Sequence, residues 1–498
     1  MFRGRFIILA LLLLYISLLP AIHSDLHAQP SDDKLHVILG GDHADPTIVR
    51  DGNDFYMTHS SYRTYPGLKI WHSTNLVDWT PIANALGRDV GTVWAPELIH
   101  HDGLFYLYFP SSGKNFVVTA ENPRGPWSDP IELDVPGIDP GHIATPEGER
   151  FLYLHNGKVV PLSKDGLKVM GGPQQKHFGW QYPDDWEVEC FCLESPKLTY
   201  RNGYYYMTAA QGGTAGPATS HMVTSARSRS PLGPWENSPH NPVVHTWSRN
   251  ETYWCKGHGT IIDDADGNWY VVYHGYKKDA LPHGRHTLLE SIQWTDDGWF
   301  VLKRDPKVEP EIIDHTNGTL ADDSFDSHEL GLQWQMTGAH VLNAHHVGEG
   351  QFVFQNPDER MRTLQVIPPE KNYDVRIEIG DQDPDVELGL SIWYSEARLA
   401  GVAVQNNRVI MRLNDSRRSF RGVRGEKIRF LRVTLSNMTA NLYVSEDGED
   451  WTKCSRTFEL SGYDHNVLGS FSYLRPAIYA EGTGKAAVHS FEYSPLSE

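Results

Sequence analysis

The sequence predicts an all-β chain, a five-bladed β-propeller followed by a β-sandwich of jelly-roll type. Three observations predict it. A glycine hairpin phrase recurs five times in the first three hundred residues, helical periodicity is nearly absent, and after Arg304 the pattern changes to short alternating strands behind a Pro- and acid-bearing stretch.

The first residues, "MFRGRFIILALLLLYISLLPAIHSDLHAQ", carry two Arg, an apolar run from Phe6 to about Ala21, and small residues at Ser24 and Ala28. That order is the plan of a secretory signal peptide, assigned here to residues 1–28, and it implies a periplasmic or extracellular protein. An uncleaved anchor is the competing reading, but the run is short for a span and breaks at Pro20. No membrane span is expected once the signal is removed.

Residues 35–304 hold the repeats. The phrases are "VRDGNDFYMTHSS", "HHDGLFYLYFPSS", "PEGERFLYLHNGK", "YRNGYYYMTAAQGG" and "DADGNWYVVYHGY", centred on Gly52, Gly103, Gly148, Gly203 and Gly267. Each is a tight turn followed by an alternating aromatic or β-branched strand, which is a hairpin signal. The glycines recur at a spacing that suits a four-stranded blade. Secondary echoes, "WHSTNLVDWTPI", "ENPRGPWSDP" and "SRSPLGPWENSP", read as outer-strand turns in the first, second and fourth units.

Just ahead of each glycine turn stands a polar or ionisable residue, usually beside a proline: Asp45 in "ADPT", Glu97 in "APEL", Asp139 in "IDPG", Glu194 in "ESPK" and His258 in "KGHGT". Any one of these taken singly is ordinary turn chemistry. Five in phase are not, because the innermost strand of every blade begins at the central channel and equivalent positions converge on one funnel. Like charges gathered there push their pKa values apart.

Composition narrows the partner. The net charge of −19 makes nucleic acid and anionic membrane surfaces unsuitable, and a neutral or weakly charged substrate fits better. Trp (15) and Tyr (23) together outnumber Phe (18), and both have a polar handle suited to stacking on sugars. Two Asp and a Glu around one axis meet the needs of glycoside hydrolysis, in which one acid protonates the leaving oxygen and one carboxylate activates water or attacks carbon. The expected partner is an oligo- or polysaccharide. Four cysteines, Cys190, Cys192, Cys255 and Cys454, are too few and scattered for a disulfide scaffold or structural zinc; the alternatives are a bridge from Cys255 to Cys190 or Cys192, or buried free thiols.

These phrases in this order, with "SHMVTSARSRSPLGPWE" and "GRHTLLESIQW", resemble glycoside hydrolase family 43 over about Leu35 to Arg304. The resemblance implies an inverting glycosidase with a five-bladed propeller. It makes Asp45 the general base, Glu194 the general acid, and Asp139 the residue that tunes and orients the acid. It places Trp94 and His221 on the pocket wall and Arg285 on sugar hydroxyls. It turns His258 toward the axis, where many members hold calcium or another cation through this His; no organic cofactor is implied. Two departures stand out. Gln211 in "AAQGGT" replaces the usual acid, and the insertion "QQKHFGWQYPDDWEVECFC" brings Trp180, Tyr182 and Trp186, either to wall the pocket or to pack outside it.

Residues 305–320 read as a linker and 321–498 as the β-sandwich, with strands such as "YDVRIEIG" and "VELGLSIWYS". The phrase "ELGLQWQ" resembles the concanavalin-like C-terminal domain of many family 43 β-xylosidases, either a wall that closes the funnel or a structural cap. The leading expectation is exo-acting removal of β-xylose or α-L-arabinofuranose. The alternatives are an exo-galactosidase of the same family, a five-bladed retaining fructosidase, whose Asn-Asp-Pro-Asn phrase is replaced here by "HADPT", and a non-catalytic sugar-binding propeller, which would be free to lose any of the three carboxylates.

Overall fold

A computed structural model describes residues 30, 33–315, 320–337, 345–356, 358–421, 423 and 427–497. The signal peptide assigned to residues 1–28 lies outside the described residues. Among those described, helix is confined to single turns at His155–Gly157, Leu281–His283 and His465–Leu468. No described helix is long and apolar enough to cross a membrane.

The five glycine phrases are the hairpins that join the first and second strands of five antiparallel sheets. They link Thr47–Asp51 to Asp54–Thr58, Glu97–His101 to Leu104–Ser111, Gly141–Ala144 to Arg150–Leu154, Glu194–Arg201 to Tyr204–Gln211, and Tyr253–Asp263 to Trp269–Lys277. The secondary echoes are the turns between third and fourth strands, as in the first blade, where Asn75 Oδ1 accepts the N–H groups of Val77 and Asp78 between Gly67–Ser73 and Thr80–Leu86.

The fifth blade draws on both ends of the propeller. Leu35–Leu39 pairs antiparallel with Arg285–Trp294 as its outer strand, so the start of the chain closes the ring. Its outer edge would leave a row of unpaired backbone groups. Ile312–Asp314, inside the segment read as a linker, covers it by pairing in parallel with Leu35–Leu39. Part of that segment therefore belongs to the propeller. Each blade packs on the next through buried aromatic and branched side chains, such as Phe55, Trp71, Trp79 and Leu289 between the fifth and first blades.

The C-terminal region is a sandwich of an eight-stranded and a seven-stranded antiparallel sheet around one apolar core that includes Phe352, Leu390, Leu431, Ile478 and Phe491. The alternating strands of the sequence put these side chains inward and charged ones outward. The two domains are stitched together. Thr64–Tyr65 of the first blade pairs with Gln335–Thr337 as the edge of the larger sheet, the Leu474 N–H donates to Pro282 O, and His283 Nε2 lies 2.8 Å from Pro368 O. A side chain on Gly40 or Gly41 would meet a carbonyl of Pro369 or Pro368 at 2.4 Å, so glycine permits the close approach.

Candidate active site

In four blades one residue on the inner strand, or just ahead of it, has an unusual backbone. Asp45, Asp139, Ser195 and His258 have φ of 60°, 56°, 50° and 59°. Left-handed geometry costs a non-glycine residue on the order of 1–3 kcal/mol and persists only where the surroundings enforce it. Three of these residues, Asp45, Asp139 and His258, themselves line the pocket, and Glu194 lines it from the position before Ser195. The sequence phasing is corrected by this geometry. Ser195, not Glu194, is the counterpart of Asp45 and Asp139, and Ala95 holds that place in the second blade. Glu194 stands one residue earlier and Glu97 two later, so the two lie at different depths.

Asp45 is buried, with 6% of its surface exposed. Its Oδ2 accepts Ser60 Oγ at 2.6 Å, and Arg285 donates from Nη1 to Oδ1 at 2.9 Å and from Nη2 to Oδ2 at 3.4 Å. Burial alone would raise its pKa, but the Arg285 guanidinium, with His258 and His274, outweighs burial and holds the carboxyl well below the usual range. The Asp45 N–H donates to His274 Nδ1 at 3.0 Å, so His274 carries its proton on Nε2, 3.0 Å from Thr214 Oγ1. Arg285, expected on sugar hydroxyls, is thus engaged by Asp45 and by Tyr62 Oη at 2.5 Å while still lining the pocket.

Asp139 and Glu194 are perturbed in the opposite sense. Burial, then the charge of Asp45, raises Asp139 to about 7, although Lys197 and the Ser195 N–H at 3.1 Å pull it down. Burial, then Asp139 and Asp45, raises Glu194 to about 8. One carboxylate held ionised and another held protonated in the same pocket is the division of labour that acid–base chemistry requires.

Beneath these acids lies a second layer. Lys197, with 2% of its side chain exposed, directs Nζ to Glu97 Oε2 at 2.8 Å, Pro96 O at 2.8 Å and Pro140 O at 3.2 Å. Glu97 also accepts Thr47 Oγ1 and the His142 N–H. Glu97 therefore turns away from the catalytic pocket, and Lys197, unremarked in the sequence, fixes the backbone beside Asp139. The signal was present in "ESPK", two residues past Ser195, as Glu97 is two past Ala95. Gly141 keeps the corresponding place clear in the third blade, where a Cβ would lie 1.4 Å from Pro196 O.

The pocket encloses about 270 Å³. Trp94, 41% exposed, and His221 line it, the latter stacked on His274 and held by Gly212 O at 2.6 Å. The insertion divides between its two expected roles. Its end, Glu189, Cys190 and Cys192, lines the pocket, whereas Trp186 stacks on His245 and meets Trp180 and Trp247 edge-on, packing on the outside of the blades. Cys190 and Cys192 are bonded to each other, and Cys255 and Cys454 are buried free thiols. Gln211 explains its departure from an acid: its amide grips the Trp180 backbone in both directions, Oε1 at 2.7 Å from N and Nε2 at 2.9 Å from O. The remaining wall comes from the sandwich. His465 and Phe471, stacked at 3.9 Å, enter the pocket, Phe471 lies under the Arg285 guanidinium, and Asn466 bonds the Gly216 backbone.

His258 has its Nδ1 3.4 Å from Asp45 Oδ1 and a buried Nε2 without a hydrogen-bond partner among the described residues. Asp45, His258 and His274 can bring one ligand atom each within 4.8 Å of one another, but the Arg285 guanidinium already occupies Asp45. The unpartnered Nε2 is the atom that fits a cation completed by waters.

Comparison with known proteins agrees with this geometry. Glycosyl hydrolases family 43 matches residues 35–300. A non-reducing end α-L-arabinofuranosidase of Bacteroides ovatus is 31% identical over 60% of this chain and 60% of its own length, so the chain spans about 60% of that relative. A xylosidase/arabinosidase of Butyrivibrio fibrisolvens is 28% identical, with 92% of this chain and 97% of the relative covered. Among solved structures, a xylan β-1,4-xylosidase of Bacillus halodurans superimposes with a TM-score of 0.79 at 23% identity, covering 92% of this chain and 99% of that one, a likeness of fold.

Lys197→Met strands the Glu97 carboxylate and should cost about 3–5 kcal/mol in denaturant unfolding, part of it recovered when Glu97→Gln is added. Activity should decline as pH rises past about 8, where Glu194 loses its proton. Asp139→Asn removes a negative charge that raises that pKa, so the decline should move to lower pH in a kcat/KM profile.

Proposed function

The chain belongs to glycosyl hydrolases family 43, and from that premise we propose that it is a secreted, exo-acting, inverting enzyme that removes xylose or arabinofuranose from the ends of plant polysaccharide chains or side chains. The observation that carries the reading is the pairing of an Arg-held, ionised Asp45 with a protonated Glu194 in one pocket that His465 and Phe471 close on the sandwich side. A closed wall favours a chain end over an internal segment. The relatives named as arabinofuranosidase and xylosidase/arabinosidase support the sugar class.

In this mechanism Asp45 orients and deprotonates a water, with Ser60 and Arg285 fixing its carboxylate. Attack on the anomeric carbon breaks the bond to the leaving oxygen, which takes the Glu194 proton. Asp139 holds that proton on Glu194 until it is needed, by its charge. Trp94 supplies an apolar face for the sugar, and His221 supplies a ring edge. A cation held on His258 Nε2 would add fixed positive charge near the acids. Export rests on the apolar segment read as a signal peptide, which N-terminal sequencing of the exported protein checks.

Proton NMR of the first product formed should show inverted anomeric configuration; retention overturns the assignment of Asp45 as base. Glu194→Ala should keep a measurable part of its turnover on nitrophenyl glycosides, which need little protonation, and lose it on xylo- or arabino-oligosaccharides. Asp45→Ala should lose both by at least about a thousandfold. For the cation, chelation should lower the melting temperature of the wild type and leave that of His258→Ala unmoved. An unchanged wild type removes the cation from the proposal.

A further inference from the structure

A second and larger cavity, about 760 Å³, adjoins the catalytic pocket. The two share Trp94 and Ile138, so the second begins where the first is not walled off by the insertion or by the sandwich. Its volume falls in the range of ligand sites. It is built from loops of the first two blades, the third-blade entry at Gly137 and Ile138, and Arg360 from the sandwich.

The charge of this cavity differs from that of the molecule as a whole. Arg63 lines it with Nε donating to Thr92 Oγ1 at 3.0 Å, and no carboxylate of the described residues pairs with its guanidinium. Arg360, also in the lining, binds Asp358 Oδ2 through Nε at 3.1 Å and Nη2 at 2.7 Å, while Arg362 takes Asp358 Oδ1 at 3.0 Å, so two guanidiniums share one carboxylate. The carboxylate lining the cavity is Asp89, whose Oδ1 already accepts the Gly91 N–H at 2.7 Å. Positive charge is in excess on this side in a chain of net charge −19.

We propose that this cavity receives the leaving-group part of the substrate and that this part bears a carboxylate, a uronic acid read by Arg63. The inference rests on the glycosidase reading given above. The sugar to be released occupies the smaller pocket with its glycosidic oxygen toward Glu194, and the rest of the substrate leaves past Trp94, whose exposed ring offers a stacking face to both sides. A planar guanidinium with free donors matches a carboxylate two-pronged. The overall negative charge disfavours a polyanion, so the fit is to a single acidic sugar on an otherwise neutral chain rather than to a densely charged polymer.

The experiment compares matched disaccharides in which xylose or arabinofuranose is linked to glucuronic or galacturonic acid, each as the free acid and as its methyl ester. The wild type should favour the free acid by about tenfold in kcat/KM, and Arg63→Gln should bring the ratio near one, with Arg63→Lys intermediate. Circular dichroism and melting temperature establish that the variants are folded. Equal rates on acid and ester, or a preference that survives Arg63→Gln, overturn the proposal. The same pairs are titrated calorimetrically against the slow Glu194→Ala variant, with and without Arg63→Gln. If no glycoside of any kind is cleaved, the glycosidase reading fails, and an Arg63-dependent preference in binding still supports the cavity as a uronate site. If glycosides are cleaved at equal rates from acid and ester, the cavity assignment fails and the glycosidase reading stands.

Discussion

A single buried ammonium group ties three blades together. Lys197 spends its three N–H donors on Pro96 O and the Glu97 carboxylate of the second blade and on Pro140 O of the third, while its own chain belongs to the fourth. A lysine buried without such partners would give up its charge. Fully satisfied, it fixes the backbone carbonyls that follow Ala95 and Asp139, and with them the strand entries from which the pocket is made.

The upper layer uses the same low-dielectric surroundings for the opposite purpose. Four carboxyl groups, those of Asp45, Asp139, Glu189 and Glu194, line a pocket that has one guanidinium in its lining, and Arg285 is committed to Asp45. Burial and mutual repulsion push Asp139 and Glu194 up instead, which separates Glu194 from Asp45 in protonation state. The chemistry depends on this asymmetry of partners, since an Asp and a Glu start from similar intrinsic acidities.

The sandwich takes part in the site. Pairing of Thr64–Tyr65 with Gln335–Thr337 and the close approach of Gly40 and Gly41 to Pro368 and Pro369 set its position against the propeller face. The short helix His465–Leu468 and the turn after it then reach the pocket, where Phe471 packs against the guanidinium that holds Asp45. The wall and the electrostatics of the base are in this way parts of one contact.

Much of this was legible in the chain itself. The blade hairpins follow from turn glycines and alternating strands that are neighbours in sequence, and the acids follow from their phase ahead of those turns, because a propeller repeats one local unit and brings equivalent positions to one axis. Other features were settled only by the tertiary structure. Glu97 and Glu194 look equivalent by spacing, yet an offset of a few residues around the left-handed position sends one below the pocket and the other into it. The pairing of Cys190 with Cys192, the commitment of Arg285 to Asp45, and the entry of His465 and Phe471 from the other domain depend on distances between residues far apart in the chain or on the path of an irregular loop. The sequence determined the repeating unit and its chemical inventory, because both are local. The partner each charge meets, and hence which acid keeps its proton, was decided when the blades closed around the axis and the sandwich docked, because electrostatic partners are set by proximity in space.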